Sequence, residues 1–219
     1  MTESFADIDG TPVLSGSVFL PRRGAWHATI TLDTDQPPSG AVTLSLDAGG
    51  TVMRGTVVRA GEAFGRVACI VVGGAGRLAL PVAPRHYRNA LASDIWGDLV
   101  RDAGEAAGGR SDAATLARTL GQWSRLRGTA GALLDTFTRH IGALWRVDRD
   151  GSLRLMLPDA TDPGSAAGTL LASSPSEAFD VWALDTHDLA PGMVLNGRRV
   201  SDVEHCIRDD GPRSKVWYG

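Results

Sequence analysis

The chain has 219 residues, 43% of them hydrophobic, and a formal net charge of −3, with a mass of 23.0 kDa and a pI near 5.9. A chain of this length makes one large or two small domains and buries roughly 70% of its unfolded surface, so it needs no disulfide framework. The slightly acidic balance excludes a basic nucleic-acid footprint, and the longest apolar run, 67–72, is far too short to cross a bilayer.

Residues 1–10 read as a loose arm or the lead-in to a strand, with a polar, acidic start unlike a secretory leader. Residues 13–20 form a strand, and Pro21, Arg22, Arg23 and Gly24 a turn. Trp26, Ala28, Ile30 and Leu32 alternate with His27, Thr29 and Thr31, the period of a half-buried strand. Pro37 and Pro38 mark a loop, Val42, Leu44 and Leu46 alternate again, and 47–50 turns the chain. A strand over 51–59, a turn at Ala60 and Gly61 and a strand over 63–72 follow. Gly73, Gly74 and Gly76 break that run, and 77–82 resumes it. Five or six short strands at roughly ten-residue spacing predict a small antiparallel barrel or sandwich.

The composition changes at Pro84. Ser93 is placed to cap a helix carrying Ile95, Trp96, Leu99 and Val100 and ending near Gly104, and Ser111 to cap a second carrying Leu116 and Leu120. Thr129 caps a third, whose stripe is Leu133, Leu134, Phe137 and Ile141 and whose stop is Gly142, since glycine enters the left-handed conformation at no steric cost. A hairpin follows: strand 143–147 with Trp145, a turn at Asp150 and Gly151, and strand 153–157. Residues 158–175 are small and polar and read as a loop or linker. A strand over 178–186, a turn at Pro191 and Gly192, a hairpin turned by Asn196 and Gly197, a turn at Asp210 and Gly211 and a strand over 213–218 complete a second β unit. The Trp145 hairpin is assigned to that unit. The expected fold is mainly β with an α insertion (α+β): two small antiparallel β-barrels, 1–84 and 143–219, bridged by a helical segment, 85–142.

No stretch carries an evident catalytic set. His27, His86, His140, His187 and His205 are scattered, without the spacing of metal ligands. Asp185, His187 and Asp188 cluster, where an acid–base role competes with a polar loop after a strand. Gly73-Gly74-Ala75-Gly76 resembles part of a phosphate loop but lacks the Lys-Ser/Thr that follows one, so a turn is the simpler reading. Asp98, Asp102 and Glu105 share a helix face, and Arg125 and Arg127 flank Trp123 for a cation–π, ligand or salt-bridge contact. Cys69 reads as a buried hydrophobe, Cys206 flanks a strand, and the six tryptophans read as core or interface anchors. No catalytic, cofactor-binding or metal residue is assigned.

The stretch 122–155 resembles the middle of bacteriophage tail hub proteins, which sit at the baseplate or tail tip. The residues that carry the resemblance are Arg127-Gly128-Thr129-Ala130, Leu133-Leu134-Asp135, Leu144-Trp145-Arg146-Val147 and Asp150-Gly151-Ser152-Leu153. The helix at 94–104 and the closing segment, Pro191-Gly192 through Val216-Trp217, are similar to flanking parts of the same module. The resemblance implies two related barrels with a helical insertion, three copies forming a ring, and six barrels matching a sixfold tail tube. It also implies a virion protein, assembled in the host cytoplasm, whose partners are itself as a homotrimer, the tail tube or distal tail protein, and a separate spike or tip protein, because many members continue into a spike-attaching domain and this sequence stops at Gly219. No membrane anchor, cofactor or sequence-specific nucleic-acid binding is expected, although DNA could pass through the lumen. A structural, non-enzymatic hub subunit is the first expectation. A carbohydrate-binding β module of a tail or cell-wall-associated protein is the alternative, and a hydrolase with a dispersed site is the second alternative.

Overall fold

Alternation of buried and exposed side chains makes the first half of the chain a barrel. A computed structural model describes residues 6–47, 50–109, 111–163, 168–174, 176–184, 187–208 and 213–219. The expected features at Asp185, at 164–167, at Asp210 and Gly211 and in part of the 47–50 turn lie outside the described residues. The strands are β1 (Ala6–Ile8), β2 (Thr11–Leu20), β3 (His27–Leu32), β4 (Gly40–Leu46), β5 (Thr51–Ala63) and β6 (Arg66–Gly73). Their antiparallel ladders run β1-β4-β5-β6-β3-β2, and β2 pairs back onto β1, so the sheet closes and its edges disappear. Ile8, Leu20, Trp26, Ile30, Leu32, Leu44, Leu46 and Met53 fill the interior. Residues 6–8 are thus the strand that closes the barrel.

Three expectations in this half are corrected. The hairpin turn falls at Phe64 and Gly65, not at Ala60 and Gly61, because Ala60 and Gly61 stay in the ladder opposite Cys69 and Ala68. A register shift between Val57 and Arg59 absorbs the irregularity. The strand expected over 77–82 shrinks to β7 (Pro81–Val82), since the chain turns where Leu80 N–H bonds the Arg77 carbonyl. The segment after Pro84 opens not on a helix but on β8 (Arg85–Leu91).

The helices come next. α1 (Ala92–Ala103) buries Ile95, Trp96, Leu99 and Val100, starts two residues earlier than a Ser93 cap would place it, with Leu91 at the N-cap position, and ends at Gly104 in the left-handed conformation. After β9 (Ala106–Ala107), α2 (Ala113–Leu116) is a single turn capped by Asp112, whose carboxylate accepts from Thr115 N–H. Ser111 instead bonds the hairpin backbone at Leu155, and Leu120 lies in β10 (Thr119–Arg125), which pairs with β8. β11 (Gly128–Thr129) pairs with β7 and leads into α3 (Ala130–Ile141). α3 has the expected cap, with the Thr129 hydroxyl accepting from Ala132 N–H, the expected buried stripe, and Gly142 at φ +72°.

The hairpin β12 (Leu144–Val147) and β13 (Ser152–Met156) pairs with β9, forming its own three-stranded sheet. Its link to the C-terminal unit is through side chains, not a shared ladder. β14 (Gly168–Ser174) corrects the expected loop at 158–175: it is an exposed edge strand paired with β15 (Phe179–Leu184), and with both faces in solvent it carries no apolar alternation to betray it. β16 (Val194–Leu195) and β17 (Arg198–Ile207) form the Asn196-Gly197 hairpin, both turn residues having positive φ. β18 (Arg213–Tyr218) lies between β17 and β15. β17 also pairs with β2 beyond the stretch that β1 occupies, so the C-terminal strands continue the barrel sheet. The molecule is mostly β, with 54% strand and 14% helix.

Candidate assembly site

The residues singled out for chemistry are used to fasten one layer to another. The turn at 73–76 does cradle an anion, and the anion is internal: the Glu105 carboxylate accepts from Ala75 N–H at 2.7 Å and Arg77 N–H at 3.0 Å. Gly74 sits at φ +78°, where a side chain is strained, and a Cβ there would lie 2.4 Å from a Glu105 oxygen and push that carboxylate aside. This contact ties the end of α1 to the barrel. Asp98 pairs with Arg85 at 2.5 Å and also with Arg101, and it accepts from the Tyr87 hydroxyl. Asp102 pairs with Arg125, whose Nε–H bonds the Ala83 carbonyl. Of the contacts open to Arg125, the structure therefore shows a salt bridge, while Trp123 packs edge-on against Phe137. Arg127 is exposed.

His187 is fully buried, with its ring Nδ1 and its backbone N–H both held by Asp47. His205 is fully buried at 5.1 Å from the His187 ring. Its Nε2–H donates to the Leu189 carbonyl at 3.0 Å, so its Nδ1 accepts from the Ser214 hydroxyl at 2.6 Å. Burial, with His187 and Arg149 nearby, holds His205 well below the usual imidazole range, so it is neutral. These histidines pin the 187–189 loop and face protein, not an open cleft. His27, His86 and His140 are exposed and separate, and among the described residues no three His, Cys, Asp or Glu converge on a metal position. Cys69 and Cys206 are both free, and burial raises both thiols.

No residue pattern marks the network that joins the hairpin to the C-terminal segment. Arg146 is buried, bonding Asp148, Asp162 and the Pro191 carbonyl at 2.7 Å each. Arg154 bonds the second Asp162 oxygen at 2.7 Å. Burial alone would raise the Asp162 carboxyl, but the Arg146 charge and the bonds from both arginines hold it below the usual carboxylate range. On the hairpin's other side, Trp145 Nε1–H donates to Asp135 of α3 at 2.7 Å, and Arg23 pairs with the same carboxylate at 2.8 Å. The Trp26 ring plugs the barrel end against Gly55 and Gly73, where any Cβ would overlap it. Five tryptophans are buried: Trp26, Trp96, Trp123, Trp145 and Trp182. Trp217 is half-buried, beside Phe19 and Phe179 on the outer sheet face.

A cavity of about 550 Å³ opens between the barrel mouth, the hairpin turn and the 190–193 loop. Its lining includes Leu20, Pro21, Val52, Pro191 and Met193, with Arg54, Arg149 and Asp150 as polar elements. Its lining mixes apolar side chains with the charged residues Arg54, Arg146, Asp148, Arg149, Asp150 and Asp162.

No protein-family model and no curated protein matches the sequence. Solved structures do match. The tail protein from Neisseria meningitidis MC58 aligns over 96% of this chain and 94% of its own, at 11% identity and a TM-score of 0.72. The 43 kDa tail protein of prophage MuSo2 from Shewanella oneidensis aligns over 96% of both chains, at 11% identity and a TM-score of 0.63. The E. coli c3393 protein, described as a type VI secretion component structurally similar to the T4 tail proteins gp27 and gp5, aligns over 98% of this chain and 76% of its own, at 11% identity and a TM-score of 0.66. The chain has the fold of phage tail and baseplate hub proteins, in agreement with the resemblance read at 122–155.

Proposed function

We propose that this protein is a structural subunit of a phage tail hub or baseplate, a homotrimeric ring that joins the tail tube to the tip or spike in the virion. The observation that carries the proposal is the shared fold with tail proteins over nearly the whole chain. The chemistry is consistent with it: the charged side chains considered above are largely spent on internal fastening, which gives a rigid body suited to assembly rather than turnover. The domain division into 1–84, 85–142 and 143–219 belongs to the same proposal, with the side-chain network at Arg146 and Asp162 joining the hairpin to the C-terminal segment within the last unit. The test is location. Antibodies raised against the purified protein label the tail end of intact particles; label spread over the capsid, or none on particles known to contain the protein, refutes the assignment.

A second reading rests on the outer-face aromatic row of His27, Phe19, Trp217 and Phe179, whose neighbouring ring centroids lie 5.4–6.3 Å apart. Such a row can stack on sugar rings. Saturable binding of cell-wall glycans that is lost in Trp217→Ala favours it, and no binding at millimolar glycan removes it.

A further inference from the structure

Phe64 occupies a costly position. With Ala63 paired to Arg66, the turn has two central residues, Phe64 at φ +56° and Gly65 at φ +71°. Such turns favour Asn-Gly, and a bulky residue at positive φ is an outlier. The Phe64 side chain is also fully exposed, at 104% of its reference area. Backbone strain and an unburied aromatic ring together give the isolated subunit nothing, and strain of this kind collects at functional positions. The other end of the same strand holds the complementary shape, the cavity of about 550 Å³ lined by Val52 and Arg54. We propose that Phe64 is a knob that enters this cavity in the next copy of the chain, closing the ring head to tail.

The geometry requires two copies. Arg54 lies in β5 and Phe64 in the turn that ends it, ten residues on and at most about 33 Å away at 3.3 Å per residue, so a subunit does not fill its own cavity. A knob and a hole on different patches make a heterologous contact, which generates a ring when the rotation closes. Charge fits the same pairing. Exposed Glu62 and Arg66 flank the knob, and exposed Arg54 and Asp150 lie at the cavity, so Glu62 meets Arg54 and Arg66 meets Asp150. Among the described residues, neither Glu62 nor Arg54 has an ion pair within its own chain. The inference rests on the ring reading and adds the contact that closes the ring.

The test is disulfide trapping in the full chain. In Glu62→Cys/Arg54→Cys the two thiols are too far apart to join within a subunit, because bridged Cα atoms lie within about 7 Å. Oxidation is expected to give covalent dimer and trimer that stop at three, while Glu62→Cys or Arg54→Cys alone, each beside the native Cys69 and Cys206, gives neither. Adding Phe64→Ser is expected to cut the yield roughly tenfold or more, the loss of a hot-spot side chain. Because both cysteine sites are exposed, an unchanged circular dichroism melt shows that the variants fold. As a second measurement, Glu62→Arg weakens association and Glu62→Arg/Arg54→Glu restores it. Absence of the cross-link, cross-links indifferent to Phe64→Ser, or a ladder running past three overturns the knob. If wild-type particles still show threefold rings in that case, the hub reading stands without it. If there are neither rings nor cross-links, both fail.

Discussion

Replacing Trp145 with alanine removes an indole that is 4% exposed and whose Nε1–H reaches the Asp135 carboxylate at 2.7 Å. Burial of the ring dominates: truncating a buried tryptophan to alanine costs about 3–5 kcal/mol, the upper part applying where the walls cannot collapse. Here the walls are α3 and the β12–β13 ladder, both held by backbone bonds, including Gly24 N–H to the Trp145 carbonyl at 2.9 Å. The hydrogen bond adds less. Asp135 is 41% exposed and keeps its pairing with Arg23, so losing the indole leaves no stranded charge, and about 1 kcal/mol is reasonable. Trp145→Phe removes the bond together with part of the ring's packing, so it should cost more than about 1 kcal/mol and less than Trp145→Ala, which reads the whole contact. At about 2–4 °C per kcal/mol for a chain of this size, the alanine variant should melt about 6–20 °C lower. Urea unfolding with a shared m-value measures both differences. A loss below about 1 kcal/mol in the alanine variant refutes the claim that this hairpin is a core element.

Glu105→Ala strands the N–H groups of Ala75 and Arg77 and should cost about 1–3 kcal/mol in urea unfolding; an unchanged midpoint means that the turn is satisfied by water. His205 is held neutral, with a folded pKa below the unfolded 6.5, so the unfolded chain binds more protons as pH falls from 6.5. Stability is therefore complete above pH 6.5 and declines below it, until the pH passes the folded value. The pH 5 to 7 slope of the unfolding free energy should flatten in His205→Gln, and an equal slope in both proteins refutes the assignment. Gly197→Val puts a β-branched residue at φ +75° and should cost about 1–3 kcal/mol, read as a lowered melting temperature; a wild-type melt means that the turn has another geometry.

What was legible in the sequence is what local physics decides. The alternation at 26–32 and 42–46, the Thr129 cap, the 133–141 stripe, the Gly142 stop and the Asn196-Gly197 turn each need only neighbours in the chain, and each stands in the structure. The misplaced turn at Ala60 and Gly61 shows the limit. Both sites offer a glycine, Gly61 and Gly65, and only the pairing of 51–63 with 66–73 decides between them. β14 was illegible because an edge strand with both faces wet has no period to read, and β8 because its partner lies some thirty residues later. The fastening residues were visible as residue types but not as pairs. Glu105 meets a turn thirty residues away, Arg146 meets Asp162 and Pro191, and Asp47 meets His187 across the chain. Partners so distant in sequence come together only through the tertiary fold.

The central claim is that copies of this chain form a ring. The most direct measurement is the mass of the purified protein in solution, taken with particle images of the same sample. A threefold ring with a central hole, at three times the 23.0 kDa subunit mass, is the predicted result. Particles that stay at 23.0 kDa even when tail-tube subunits are added, with no ring in the images, contradict it.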